Sequence, residues 1–456
     1  MANKGYIGQA GTGKTTKIID DLNDLVKPEE WAKTSSLLAI TYMHGSRRRL
    51  ENKLSPFVKK GIRVNCMTID AFCLHIVQRY KSYLGIKVQI VISDNVDERT
   101  ELTTEKKLVC GIHTICSMAS ELLNFNTIKD VMKFSYPIIV VDEFQDCEEG
   151  HLLVIKKIAE NECLLIAADD FQKLNTATDS AAVKWLNESV TCVTLDKIWR
   201  TNYSQILNTA KALRTNSKVS DVIEVKFAEA YGLAAFFIAS GKEWKEKMGM
   251  EGRTVALISP IGPHSDTFVK KTLERLHRGF EKKEKGVLKW KLDKHPFMVE
   301  GEKKITVTEI LKKCTGLGKK SIIPLNIIQA WNDIDDIYLQ AAIKSAKRVM
   351  KLRNLDFIST EEFKGLISAR LHLVNAILTQ KKENRIFLTV HGAKNREFDD
   401  VFILWPQHTL KKDSEIYLRK LLYNAVTRAK RKVILIVQGT EAQRGSEPAL
   451  NLLLNQ

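Results

Sequence analysis

Short unbroken apolar runs punctuate this chain, and polar residues follow several of them at once. Ile138-Ile-Val-Val141 runs into Asp142-Glu143, and Cys163-Leu-Leu-Ile-Ala-Ala168 into Asp169-Asp170. Later come Asp400-Val-Phe-Ile-Leu404 and Val433-Ile-Leu-Ile-Val437. Runs of this length without alternation predict strands buried on both faces, as in parallel sheets. A shorter strand is predicted over Lys4 to Ile7. Helical spacing is predicted for Thr16 to Leu25 and for Tyr417 to Ala429. Strands alternating with helices in both halves predict two parallel-sheet α/β cores. No internal repeat is visible.

Composition narrows the class. With 456 residues, 44% apolar and 27% charged, the chain reads as globular, with two to four domains of about 100–200 residues each. Lys and Arg exceed Asp and Glu by 17, which suits a polyanionic partner, nucleic acid before an anionic membrane. About half of that surplus lies between Lys270 and Lys320, where sixteen basic residues face seven acids and Phe280, Trp290 and Phe297 are interleaved. This segment is read as a surface tracking a nucleic-acid backbone. No apolar run approaches the roughly 18 residues of a membrane span, and the first residues carry no signal-peptide pattern. Eight scattered cysteines without a CxxC suit a reducing compartment, so an intracellular, nucleoid-associated protein is expected. Cys110, His113 and Cys116 form the nearest approach to a metal cluster, needing Cys66 or Cys73 as well; buried free thiols are the preferred reading.

Three segments carry recognisable chemistry. Gly8-Gln-Ala-Gly11-Thr12-Gly13-Lys14-Thr15 fits the phosphate-binding pattern G-x-x-x-x-G-K-[ST], between a strand and a helix that opens with Thr16. Its glycines let backbone N–H groups curl round phosphates at a helix N-terminus; Lys14 would reach the β and γ phosphates and Thr15 would hold Mg²⁺. Asp142 and Glu143 end a core strand, where open α/β sheets bind ligands; Asp142 suits Mg²⁺ and Glu143 suits activation of water. Gln172, after the strand ending at Ala168, can donate to a phosphate oxygen or orient water. Trp199-Arg200 suits base stacking beside phosphate neutralisation. Gly316-Leu-Gly318-Lys319-Lys320 reads as a tight hairpin able to touch a phosphate.

Taken in order, these motifs resemble a superfamily 1A DNA helicase of the UvrD/Rep/PcrA type. The resemblance rests on Gly8 to Thr15, Ala39-Ile-Thr41-Tyr42-Met-His44, Thr68-Ile-Asp70-Ala-Phe72, Asp142-Glu-Phe-Gln-Asp146, Asp169-Asp-Phe-Gln172, Trp199-Arg200-Thr201, Thr389-Val-His391-Gly-Ala-Lys394 through Glu397-Phe398, and Val426-Thr-Arg428-Ala429. It implies two RecA-like P-loop NTPase cores with parallel sheets, ATP and Mg²⁺ between them, and small, mostly helical inserted domains. Core 1A would span 1–83 and 135–196, insert 1B 84–134, core 2A 197–265 and 384–456, and basic insert 2B 266–383. Lys14, Thr15 and Asp142 would serve phosphate and Mg²⁺, with Glu143 as general base. Gln172, Arg200 and Arg428 would sense the γ-phosphate, Trp199 would stack on adenine, and Glu397 would hold the ribose. Thr41, Tyr42, His44, Thr68, Phe72, Thr389 and His391 would line a single-strand track, with Gly316 to Gly318 on duplex.

The chain departs from the family at three points. The phosphate loop starts at residue 8, leaving no room for an upstream adenine-reading Gln, so use of other triphosphates is expected. Lys173-Leu-Asn175-Thr-Ala177-Thr stands where the family has stacking aromatics, which would weaken grip on the strand by about 1–3 kcal/mol per base. Asn395 replaces the Gly after Lys394. The expected function is an ATP-driven DNA translocase or helicase, moving 3′ to 5′ on single-stranded DNA and opening tailed duplex DNA. The alternative is a DNA-stimulated ATPase subunit of a repair or antiviral nuclease complex, unwinding poorly alone. The D-E-x-Q-D and V-T-R-A forms speak against a 5′ to 3′ or RNA-acting branch.

Overall fold

The structure, a computed structural model, describes residues 3–42, 44–92, 100–102, 107–160, 163–174, 181–239, 253–284, 287–292, 297–299, 307–314, 322–334, 337–368, 384–407 and 414–454. The chain divides into two compact units. One comprises Met1–Glu251, Val255–His295 and Leu388–Gln456; the other comprises Gly252–Thr254 and Pro296–Phe387.

The larger unit is built around two parallel sheets. The first is built from β1 (Lys4–Gly8), β2 (Ser36–Thr41), β3 (Arg63–Thr68), β7 (Ile138–Val141), β8 (Cys163–Ala168) and β9 (Thr191–Leu195), in the order β3-β2-β7-β8-β1-β9. Every pairing is parallel. The unbroken apolar strands are buried along their whole length, as β2, β7 and β8 show. Helices cover both faces: Ile18 and Leu22 of α1 (Lys14–Leu25) pack on one side with Leu50, Leu54 and Phe57 of α2 (His44–Lys59), and Phe72 and Ile76 of α3 (Ile69–Tyr80) on the other.

The segment 84–134 contributes a three-stranded sheet, order β4-β6-β5, from β4 (Gln89–Ile92), β5 (Thr100–Leu102) and β6 (Lys107–Cys110). Helices α4 (Ile112–Leu122) and α5 (Asn126–Ser135) follow. Ile90, Leu108, Ile115 and Met132 share one hydrophobic cluster with Ile139, Val141 and Ile166 of the first sheet. The insertion therefore shares the core of its host sheet, and it contains strands as well as helices.

The second sheet of this unit runs parallel in the order β10-β19-β18-β11, from β10 (Glu224–Ala228), β11 (Val255–Ser259), β18 (Phe398–Trp405) and β19 (Ala429–Gln438). Helix α14 (Glu415–Val426) precedes β19. The helix predicted to Ala429 thus stops three residues earlier, and Ala429 already opens a strand paired to Phe398. That leaves Thr427 and Arg428 in the turn. Helix α10 (Thr267–Arg278), expected in the second insert, packs beside α9 (Tyr231–Ala239), with Lys271 and Arg275 over the Tyr231 ring at 5.3 and 5.7 Å.

The smaller unit has its own core. Trp331, Phe363, Ile343, Ile310 and Met350 cluster around α13 (Ile337–Arg353) and a short ladder in which Ile323 faces Ile358. Trp331 and Phe363 rings lie 5.6 Å apart. Gly316, Gly318, Lys319 and Lys320 lie outside the described residues, as do Asn175 to Thr178.

Candidate nucleotide and nucleic-acid site

The site forms where three strand ends of the first sheet meet two strand beginnings of the second. Residues 8–15 leave the carboxyl end of β1, Asp142 and Glu143 that of β7, and Asp169 that of β8. Glu397 directly precedes β18, and Arg428 directly precedes β19, where its carbonyl accepts from the Phe398 N–H at 2.9 Å. These ends border an open cleft of about 750 Å³, lined by Gly11, Gly13, Lys14, Thr15, Thr16, Asp142, Glu143, Gln172, Trp199, Arg200, Glu397 and Arg428 among others.

The phosphate loop is held from both sides. Gly11 and Gly13 have φ of 83° and 85°, in the left-handed region that glycine adopts without penalty. A Cβ on Gly11 would also stand 2.6 Å from Arg200 Cβ, and Trp199 N–H donates to the Gly11 carbonyl at 2.8 Å. Gly8 is equally tight, since a Cβ there would lie 2.6 Å from the Leu195 carbonyl and from Thr12 Oγ1. Buried Thr12 donates to the Gln9 carbonyl at 2.9 Å. Lys14 Nζ donates to the Gly8 and Gln9 carbonyls at 2.8 and 2.9 Å. Burial lowers the pKa of Lys14, against the pull of Asp169, Glu143 and Asp142.

Thr15 Oγ1 donates to Asp142 Oδ2 at 3.3 Å. Burial, with Glu143 beside it, pushes the Asp142 carboxyl up to about 6. A carboxylate disfavoured in this way, next to a threonine hydroxyl, is a donor set suited to a hard divalent cation. Glu143 adopts a left-handed φ of 60°, a strained conformation for a non-glycine residue that clusters at functional sites. Gln145 Nε2 donates to Glu143 at 2.6 Å, and Gln145 Oε1 accepts from the Asp169 N–H at 3.0 Å. Gln172 is 6% exposed and lines the cleft.

Arg428 is 1% exposed. Its Nε donates to the Asn424 carbonyl at 2.9 Å and its second terminal nitrogen to Thr427 Oγ1 at 3.3 Å. Among the described residues it pairs with no carboxylate, and burial, then Arg200, brings its pKa down to about 10. A buried guanidinium without a counter-charge, facing an open cleft, is complementary to an anion. Arg200 is engaged differently: its guanidinium donates to Glu397 Oε1 at 3.1 and 2.9 Å and to the Thr427 carbonyl at 2.8 Å. Glu397 also takes Arg49 at 2.9 Å and Lys430 at 3.5 Å. Burial alone would raise its carboxyl, but Arg200, Arg49 and Lys430 outweigh it and bring it down to about 2. Trp199 is 67% exposed beside Gly13, with Lys197 Nζ 3.8 Å from its ring centre.

Two family-model matches bracket this geometry. Residues 7–114 match the UvrD/REP helicase N-terminal domain, and residues 386–436 match the UvrD-like helicase C-terminal domain. Over these two segments the chain is similar to superfamily 1 helicases of the UvrD/Rep type. Among curated proteins, RecBCD enzyme subunit RecD of Mycobacterium tuberculosis, in strains CDC 1551 / Oshkosh and ATCC 25618 / H37Rv, is 46% identical over 55 residues. That is 12% of this chain and 8% of the relative's length. A solved structure, the arterivirus nonstructural protein 10 helicase, aligns over 99% of this chain and 62% of its own at 10% identity, with a TM-score of 0.36. So loose a superposition carries no argument.

The residues expected on the single-strand track occupy different environments. Thr41 is fully buried at the end of β2, and its hydroxyl has no hydrogen-bond partner among the described residues, whereas the buried Tyr42 hydroxyl faces the Cys147 thiol. His44 opens α2, with a side chain outside the described residues. Thr68 caps α3, accepting from the Ala71 N–H at 3.3 Å. Phe72 is fully buried and offers no ring face to a base. Thr389 Oγ1 accepts from the Gly392 N–H at 3.1 Å, and His391 is exposed. Asn395 has a φ of 61°, in the left-handed region that glycine, and after it asparagine, adopts most readily.

Several site residues escaped sequence reasoning. Arg49 and Lys53 of α2 reach the cleft from the first sheet's side; the run Arg47-Arg48-Arg49 after the Ala39–His44 motif was the available signal. Fully buried Asp169 takes Arg214 at 3.0 Å and the Tyr423 hydroxyl at 3.2 Å, while Ala10 N–H donates to that same hydroxyl at 3.2 Å. One phenol thus ties the phosphate loop to α14. No group of three His, Cys, Asp or Glu among the described residues could hold a metal ion. Cys116 lies instead 3.7 Å from Cys73 as a buried free thiol. No helix among the described residues is long and apolar enough to cross a membrane.

Proposed function

We propose that this chain hydrolyses ATP with Mg²⁺ and couples the reaction to 3′ to 5′ movement along single-stranded DNA, opening tailed duplexes. The observation that carries this reading is the buried, counter-charge-free Arg428 facing the same cleft as Lys14 and the Thr15–Asp142 pair. In this reading Lys14 leaves the Gly8 and Gln9 carbonyls for the phosphates, and Mg²⁺, when bound at Thr15 and Asp142, neutralises phosphate charge. Glu143, held by Gln145, takes a proton from the attacking water; Gln172 orients that water. Arg428 meets the terminal phosphate, and Arg200 exchanges Glu397 for it as the cleft tightens. Trp199 stacks on the base. Glu397 is the ribose ligand implied by the family pattern, and it takes that role by exchanging its contacts with Arg200 and Arg49. The buried Thr41 hydroxyl, without a partner among the described residues, supports a polar ligand at the end of β2.

The 55-residue likeness to a RecBCD subunit favours a second reading, a DNA-stimulated ATPase subunit of a repair or antiviral nuclease complex. Hydrolysis rates with and without single-stranded DNA, then unwinding of 3′- and 5′-tailed duplexes by the chain alone, separate the two. Lys14→Ala and Glu143→Gln are expected to abolish turnover. Parental turnover in either variant would overturn both readings. Stimulated hydrolysis without unwinding would select the second.

A further inference from the structure

A second cluster, none of whose members lines the nucleotide cleft, joins three helices. Cys73 on α3 and Cys116 on α4 are buried, with their sulfurs 3.7 Å apart. His151 stands on α6 (Glu149–Ala159), and its Nε2 lies 2.8 Å from Oδ1 of Asp70, one turn before Cys73. The Cys116 sulfur borders the same imidazole. A carboxylate, an imidazole and two thiols are thus in contact in series, and the nucleotide reading gives none of them a role. With no three-ligand metal site among the described residues, the chemistry left to this cluster is that of sulfur. The two thiols are unequal. Hydrogen bonding from Cys73, and after it His151, holds Cys116 below the ordinary thiol value against burial, while that same contact and burial push Cys73 well above it. An acidic thiol against one that keeps its proton is the pairing of an attacking and a resolving cysteine.

Cover over Cys116 is thin on one side. Gly150 is partly exposed and has no side chain where a Cβ would stand 3.3 Å from Cys116 Cβ and 3.6 Å from Nδ1 of the exposed His113. That gap suits an oxidant of two oxygen atoms, a small peroxide, and not a bulky disulfide. We infer that Cys73 and Cys116 are a peroxide-reactive dithiol, with Cys116 as the attacking sulfur, His151 as its proton partner and Cys73 as the resolving thiol. The Cys116 thiolate attacks one peroxide oxygen; the O–O bond breaks, and the departing hydroxide takes the His151 proton and leaves as water. Cys116 is then a sulfenic acid. Cys73 passes its proton to His151 and attacks the Cys116 sulfur; the S–O bond breaks, and the hydroxide recovers that proton as a second water. Two thiols have lost two electrons to the peroxide, and one S–S bond has formed. The sulfurs close from 3.7 Å to about 2.05 Å. The product ties α3 to α4 until a reductant reopens it, as for disulfides outside oxidising compartments.

The test is exposure of the reduced, folded full chain to hydrogen peroxide, followed by alkylation of the remaining thiols in denaturant and peptide mass mapping. A bridge between the Cys73 and Cys116 peptides is expected, lighter by two hydrogens and reopened by dithiothreitol. Cys116 is expected to react at least about tenfold faster than Cys110 or Cys163, thiols that are also buried. Cys73→Ala is expected to stop at the sulfenic acid, which dimedone traps on Cys116, and Cys116→Ala is expected to leave Cys73 reduced. His151→Gln is expected to slow the bridge about tenfold, as for loss of the group that favours the thiolate. Melting curves show which variants fold, and the mapping of the parent needs no variant. A parent whose Cys73 and Cys116 stay reduced while its other cysteines oxidise would overturn the inference. Bridging of Cys116 to Cys147, a third thiol of the same hydrophobic cluster, would overturn Cys73 as its partner. A parental rate in folded His151→Gln would overturn the proton role of the imidazole.

Discussion

Replacing Tyr423 by phenylalanine removes one buried oxygen and almost no volume. The ring keeps its edge-on contact with Phe171, 5.1 Å between centres, so the change isolates the hydroxyl. That hydroxyl accepts from the Ala10 N–H and donates to Asp169, each at 3.2 Å. Without it the Ala10 N–H is orphaned in a buried position, which costs about 1–3 kcal/mol. Asp169 loses one donor but keeps Arg214 at 3.0 Å and the Phe171 N–H at 3.2 Å, so its loss stays near the low end of the roughly 1.5–3 kcal/mol typical of a bond to a charged group. Together the destabilisation is about 2–4 kcal/mol, which for a unit of this size lowers Tm by roughly 3–5 °C. The phosphate loop also loses its tether, so Mg²⁺–triphosphate affinity is expected to fall by about tenfold. Differential scanning calorimetry and nucleotide titration on the parent and Tyr423→Phe measure both quantities. If melting and affinity both match the parent, Tyr423 is packing alone and the tether between phosphate loop and α14 does not exist.

Gly11→Ala places a Cβ 2.6 Å from Arg200 Cβ at a φ of 83°; it is expected to cost about 1–3 kcal/mol and at least tenfold in nucleotide affinity, checked by melting and titration. Arg428→Ala is expected to keep nucleotide binding but lose strand-stimulated hydrolysis, read as turnover with and without single-stranded DNA; turnover at the parent's stimulated rate would remove the second sheet from the site. His151, 2.8 Å from Asp70, is held above the ordinary imidazole range at about 9: burial lowers it, but the Asp70 carboxylate and the Cys116 sulfur together outweigh burial. Its pKa is raised on folding, so its contribution is complete below about pH 6.5 and disappears as pH rises through 9. Because Asp70 is half-exposed, that contribution is on the order of 1 kcal/mol. Urea midpoints of the parent and His151→Gln should differ at pH 6 and converge above pH 9, and a constant difference across that range would refute the charged contacts of His151 with Asp70 and Cys116.

What was legible in the sequence is local. An unbroken run such as Ile138–Val141 can be buried on both faces only in a covered sheet, so strand and layer follow from composition over four residues. The phosphate loop is equally local, because the positive φ of Gly11 and Gly13 is a property of those residues. The acids after β7 follow from the same logic, since a buried strand must put its polar residues at its end. Tertiary structure decided the rest. Arg49 and Lys53 look like any solvated helix face until α2 packs against the first sheet and turns them into the cleft. Nothing near Tyr423 in the chain announces Ala10, more than four hundred residues away, or Asp169. Phe72, which motif resemblance places on a nucleic-acid track, is claimed by the core because burying a full aromatic ring is favourable by about 2–3 kcal/mol. Such contacts join residues that only packing brings together, and a local pattern carries no information about which distant partner will satisfy a buried N–H, a carboxylate or a guanidinium.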